Sequence, residues 1–218
     1  MKEGIVALLL QWSSLCLVWM GALDKMLAQV KLSRRKALAA LTAFLVCSVA
    51  DWRVAFLPVE LHWGGAVLPL LFAGVVWLAI RRGSRLYVLA AAGFSLAILF
   101  FVRKLLFWDP VLMVVDERLL VPALLVLLVL LLTRSLPEQL LVMLVAFPLS
   151  DALYTLSFSG YGAELVIGAP AAQDLLWVSL ALWGCANAGW LASRGLFAPF
   201  AERLLPRLRW RTRPPSRR

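Results

Sequence analysis

The sequence predicts an all-α membrane protein: a polytopic bundle of about seven transmembrane helices, with the N-terminus outside and the C-terminus in the cytoplasm. Three observations predict it. Of the 218 residues, 63% are hydrophobic and the mean hydropathy is +0.88, against an apolar share of roughly half in soluble domains. Uncharged apolar runs recur along the chain, several near the roughly 20 residues a helix needs to cross the hydrocarbon core. The basic residues then fall in alternate connections between those runs, which is the pattern of a threaded membrane protein.

The runs are residues 4–23, 37–50, 63–80, 86–102, 119–133, 139–150 and 175–193, the sixth continued past Asp151 by a further apolar stretch, 152–163. The first, in MKEGIVALLLQWSSLCLVWMGAL, has one lysine before it and no small-residue cleavage site after it, so it reads as a retained helix and not a signal peptide. The second, fifth and sixth are shorter than a full span and are expected to take charged residues into one end of their helices. The fifth, at about 1.5 Å per residue, rises only about 22 Å by itself. It is therefore expected to begin within VLMVVDER and to carry Asp116 and Glu117 in its first turns, where negative charge suits the helix dipole. Pro110, after Asp109, breaks continuity with the fourth helix.

Location also decides what the net charge of +10 means. Seventeen of the 22 Lys and Arg follow the first, third, fifth and seventh runs, among them Lys25, Lys31, Arg34, Arg35, Lys36, Arg81, Arg82, Arg85 and Arg134. The positive-inside rule assigns that side to the cytoplasm. Lys2, Arg53, Arg103, Lys104 and Arg118 fall on the other. Tryptophans mark both predicted interfaces, Trp52, Trp63 and Trp108 outside, Trp19, Trp77 and Trp190 inside. Residues 1–194 form the bundle on this reading, and residues 195–218 a basic cytoplasmic tail.

The tail's final run, RLLPRLRWRTRPPSRR, has seven arginines and three prolines. The prolines argue against a long helix. Arg203, Arg207, Arg209, Arg211 and Arg213 are expected to lie on anionic lipid headgroups, each arginine near the surface being worth about 1 kcal/mol. No folded nucleic-acid-binding module accompanies them, which disfavours a nucleic-acid partner. In the seventh helix Gly184, Ala188 and Ala192 form a small-residue ladder that would let another helix, or a second copy of the chain, approach closely, with Asn187 beside it.

Catalytic signatures are sparse: no P-loop, HExxH or GxSxG is present. The one histidine, His62, sits in a predicted outer loop and reads as a solvated side chain. Cys16, Cys47 and Cys185 lie in separate apolar runs with no CxxC spacing, so they read as packing residues, and no metal or cofactor is indicated. What remains is a set of ionisable residues on the outer half: Asp51, Arg53, Arg103, Asp109, Asp116 and Asp151. Asp151 is the most informative, because it follows Pro148 by three residues and interrupts an apolar helix. A carboxylate at that depth costs about 2.5–3.5 kcal/mol, so it is expected to face the bundle interior and find a cation, Arg103 or Arg53. Asp51, Arg103 and Asp151 are expected to converge in an outward-facing polar cluster. The plainer alternative makes the charges separate helix caps and packing pairs.

The N-terminal GIVALLLQWSSLCLVWMGAL, the central FWDPVLMVVDERLL and the later LSDALY together resemble the YphA-like membrane proteins of spore-forming Firmicutes, over most of the chain up to the seventh helix. The resemblance implies a small bacterial polytopic membrane protein connected with sporulation or envelope assembly, and no defined activity. Three functions stay open: a non-enzymatic membrane protein, a small transporter or transporter subunit using the cluster around Asp151, and a lipid-modifying membrane enzyme.

Overall fold

In the computed structural model, residues 3–56, 59–109, 116–158 and 165–209 are described, with side chains through residue 190 except that of Phe56. All seven apolar runs form helices. They are α1 (Ile5–Trp19), α3 (Arg34–Ala50), α4 (Leu68–Ala79, entered through a π-helical turn at Trp63–Val67), α5 (Arg85–Trp108), α6 (Glu117–Leu132), α7 (Leu136–Leu156) and α8 (Pro170–Arg209). An eighth helix, α2 (Asp24–Val30), lies between the first two runs at 94° to α1. Its seven residues carry too little apolar length to be seen as a run.

Among the described residues two segments, Arg82–Trp108 and Leu136–Leu156, are long and apolar enough to cross a membrane, and α1 with α2 makes a third if the bent pair is one span. The 16 residues of α6 and 17 of α3 are shorter than the roughly 20 that span the hydrocarbon core. The fifth predicted helix begins where the dipole argument placed it. Asp116 is the N-cap of α6, its carboxylate accepting the Arg118 N–H at 3.0 Å, and Glu117 is the first helical residue.

The chain divides into two compact units, Met1–Leu182 and Trp183–Arg218. In the first, α7 is the central helix. Leu141, Val142, Met143, Leu144, Ala146 and Phe147 are all buried, so its middle turns are enclosed, while Leu149, Leu153 and Leu156 leave one face of its second half exposed; it packs most extensively against α5 and next against α4. A second apolar centre joins Ala7 of α1, Phe44 of α3 and Trp177 of α8, the two rings meeting edge to face at 5.4 Å. Cys47 is buried, but Cys16 and Cys185 are exposed, so packing accounts for one cysteine of the three.

The sequence pattern did not foretell a sheet. Strands β1 (Arg53–Phe56), β2 (Val59–His62) and β3 (Leu165–Ile167) pair in the order β1-β2-β3, the first pair antiparallel with Arg53 opposite His62, the second parallel with Val59 opposite Leu165. The sheet sits at one end of the first unit. There the π-helical turn and the turn into α8 meet backbone to backbone. A Cβ on Gly65 would fall 2.1 Å from the Gly168 carbonyl oxygen, and Gly168 has φ +75°. Only glycine fits either position.

In the second unit α8 stays helical through Arg209, where the prolines of residues 203–218 had argued against a long helix. Leu, Ala, Glu and Arg, all good helix formers, fill most of residues 195–209 and outweigh the local cost of Pro199 and Pro206. Arg211 and Arg213 lie outside the described residues.

Candidate functional site

Arg103 and Asp151 meet. Counted along their helices, Arg103 stands about 27 Å from the start of α5 and Asp151 about 22 Å from the start of α7, so both project near the sheet end. Arg103 Nη1 donates to Asp151 Oδ1 at 2.8 Å, and its Nε donates to Glu117 Oε1 of α6 at 3.2 Å. The guanidinium also lies over the Tyr154 ring, 4.2 Å from its centroid, one turn beyond Asp151 on α7. The other oxygen of Asp151 accepts the Gly168 N–H at 2.9 Å. The side chains of Arg103 and Asp151 are 9% and 6% exposed. One guanidinium thus ties α5, α6 and α7 together, and one carboxylate adds the turn between β3 and α8.

Asp51 does not touch this pair. It closes α3 in a left-handed conformation, φ 48°, which aspartate tolerates better than most residues, and its carboxylate lies 2.8 Å from Arg53 Nη2. Arg53 also approaches Glu60 of β2 at 3.7 Å. The hydrogen bond from Arg53 holds the Asp51 carboxyl below the usual carboxylate range, and Asp51 in turn raises Arg53. Asp109 is the exposed C-cap of α5 and Asp116 the exposed N-cap of α6. Of the six sequence-selected residues, the structure joins Arg103 with Asp151 and Asp51 with Arg53, and places Asp109 and Asp116 at helix ends.

His62 overturns its sequence reading. It is 1% exposed, held at the N-cap of the π-helical turn where Gly64 and Gly65 let the backbone close in. Its tautomer follows from its neighbours. The Gly64 N–H points at Nδ1 from 3.1 Å and can only donate, so Nδ1 accepts, and Gln173 Nε2 donates to the same atom from 3.0 Å. The proton is then on Nε2, which donates to Asp51 Oδ1 at 2.9 Å. The chain of donors continues backwards: Ser48 Oγ donates to Gln173 Oε1 at 2.9 Å, and Gln11 Nε2 to Ser48 Oγ at 3.0 Å. Every link from Gln11 through Ser48, Gln173 and His62 points towards Asp51.

The two groups are one network. Gln173 Nε2 also reaches the Gly168 carbonyl at 3.4 Å, while the N–H of the same glycine holds Asp151. Beside them Asp174, 6% exposed, accepts the Gly4 and Ala7 N–H groups at 2.8 and 2.6 Å, satisfying the start of α1 from the start of α8. Sequence reasoning missed Gln11, Ser48, Gln173 and Asp174. A lone glutamine inside LLLQW, and QD just after the proline that opens α8, were the available signals. Chemically the arrangement is a polar core in which both Asp151 oxygens and both His62 ring nitrogens are engaged, and Gln11 Oε1 alone of the donor chain is left without a partner among the described residues.

Asn187, expected beside a helix–helix face, donates to the Trp183 carbonyl of its own helix at 2.9 Å. Ala188 is exposed and Gly184 half-buried.

Comparison with protein-family models matches the YphA-like integral membrane protein family over residues 6–196. Comparisons with curated proteins and with solved structures find no match. A match over that much of the chain, on a fold of apolar helices, is sufficient: the chain belongs to the YphA-like integral membrane protein family.

Proposed function

We propose that this is a non-enzymatic, multi-pass protein of the bacterial cell membrane, crossing it seven times with the N-terminus outside, and acting in envelope assembly or sporulation by packing against membrane partners. Its intramembrane polar residues hold the bundle together and handle no substrate. The observation that carries this reading is the engagement of Asp151: Arg103 takes one oxygen and the Gly168 N–H the other, with the side chain 6% exposed. A carboxylate that exchanges protons or solutes needs an oxygen open to water. Supporting the topology, each apolar run forms a helix, and Trp19, Trp52 and Trp108 are more than half exposed at helix ends, as headgroup-level residues are. The Gly184, Ala188 and Ala192 ladder is the proposed partner or homodimer face, and Arg203, Arg207, Arg209, Arg211 and Arg213 the proposed contact with anionic lipid.

A small transporter is the second reading. One observation favours it: Gln11 Oε1, at the head of the donor chain, is buried with no partner among the described residues, as an acceptor awaiting a water or solute would be. Proteoliposomes loaded with a pH-sensitive dye decide between the two. The structural reading expects proton flux equal to that of empty vesicles. Flux that Asp151→Asn abolishes establishes the transporter instead.

A further inference from the structure

At the end of the first unit opposite the sheet, a cavity of about 480 Å³ opens between the end of α2, the end of α4 and the start of α7. That size is within the about 300–1,000 Å³ of small-ligand pockets. Three cations line it from three connections far apart in sequence: Lys31 after α2, Arg81 after α4 and Arg134 before α7. None of the three makes an ion pair among the described residues. The one carboxylate in the lining, Glu138, already accepts a hydrogen bond from Ser84 Oγ. Three positive groups against one committed negative group leave a formal charge of +2 around a concave space, a repulsion that an anion in the cavity would offset. Gln29 and Ser135 add neutral polar groups, and Ile80, Leu136 and Pro137 an apolar wall.

We infer that this cavity binds a phosphate group, with Arg81 and Arg134 supplying planar guanidinium donors and Lys31 a third charge. The positive-inside rule accounts for basic residues on this side of the chain, but not for three connections converging on one cavity. The phosphate is that of an anionic phospholipid headgroup or of a free phosphate ion, and the apolar wall beside the cations suits the former.

The test uses the full chain, delipidated in detergent, with phosphatidylglycerol, phosphatidylcholine or inorganic phosphate added, read by thermal unfolding and by native mass spectrometry. Wild type is expected to be stabilised by phosphatidylglycerol and to retain it, with no effect of phosphatidylcholine. Arg81→Gln and Arg134→Gln, both at exposed loop positions, are each expected to weaken binding about fivefold, the equivalent of about 1 kcal/mol per cation. Stabilisation by inorganic phosphate alone, lost in the same variants, would keep the site and make its ligand the free ion. Lipid retention unchanged in both variants, or no anion effect in wild type, would overturn the inference.

Discussion

The Arg103–Asp151 pair is best tested by a double-mutant cycle in which the charges are removed singly and together. Asp151→Leu leaves a nearly buried guanidinium with Glu117 at 3.2 Å and the Tyr154 ring as remaining partners. The expected cost is therefore about 3 kcal/mol, the low end of the about 3–5 kcal/mol that follows breaking a buried pair. Arg103→Met leaves Asp151 with only the Gly168 N–H, and about 5 kcal/mol is expected. The double variant Arg103→Met/Asp151→Leu strands neither charge. Glu117, whose side chain is 33% exposed, can turn to water. Its stability should fall within about 1 kcal/mol of wild type, because apolar residues commonly replace a buried ion pair without loss. The assay is unfolding in mixed micelles by added SDS, followed by the fluorescence of the ten tryptophans. Single variants that each cost under about 1 kcal/mol, or costs that simply add in the double variant, would refute the coupling of Arg103 to Asp151.

Other outcomes follow from the same geometry. Gly65→Ala or Gly168→Ala should abolish folded protein in detergent, whereas Gly74→Ala, whose Cβ would meet nothing within 4 Å, should leave the yield unchanged. Since the chain has one histidine, a nitrogen-15 spectrum of labelled protein should show a single imidazole, protonated on Nε2 and not Nδ1. His62→Ala strands the Gly64 N–H and part of the Gln173 amide, at about 1–3 kcal/mol for each buried group left unpaired. Asp51 has its folded pKa lowered by Arg53, so its contribution to stability is complete above the ordinary carboxylate pKa of about 3.9 and is lost as pH falls through the lower folded value. Arg53→Ala should move that acid loss to higher pH in the unfolding midpoint.

The helices were legible because a membrane-crossing helix is set by length and apolarity, both local properties of the sequence. The entry to α6 was legible for a related reason: Asp116 and Glu117 suit a helix start wherever the helix packs. Asp151 and Arg103 could be matched because a carboxylate inside an apolar run must find a cation, and few were at the right depth. The sheet was not legible, since RVAF, VELH and LVI are too short to show alternation; β1 and β2 pair as a local hairpin, but β2 meets β3 only across more than 100 residues. His62 was misread for the same reason. Its burial depends on Gln173, 111 residues away, and on a π-helical turn that forms only where Gly65 meets Gly168. Two glycines directly after HW were the local trace of that contact.

Access of water to Asp151 is the most direct measure of the central claim that the buried network is structural. In a chain with Cys16, Cys47 and Cys185 replaced by serine or alanine, Arg103→Met/Asp151→Cys places a thiol at the site without stranding a charge. A membrane-impermeant, water-soluble thiol reagent should leave it unmodified on either side of the bilayer, while Asp109→Cys, at an exposed helix end, reacts fully. Rapid modification at position 151 would show an aqueous path to that residue and contradict the account.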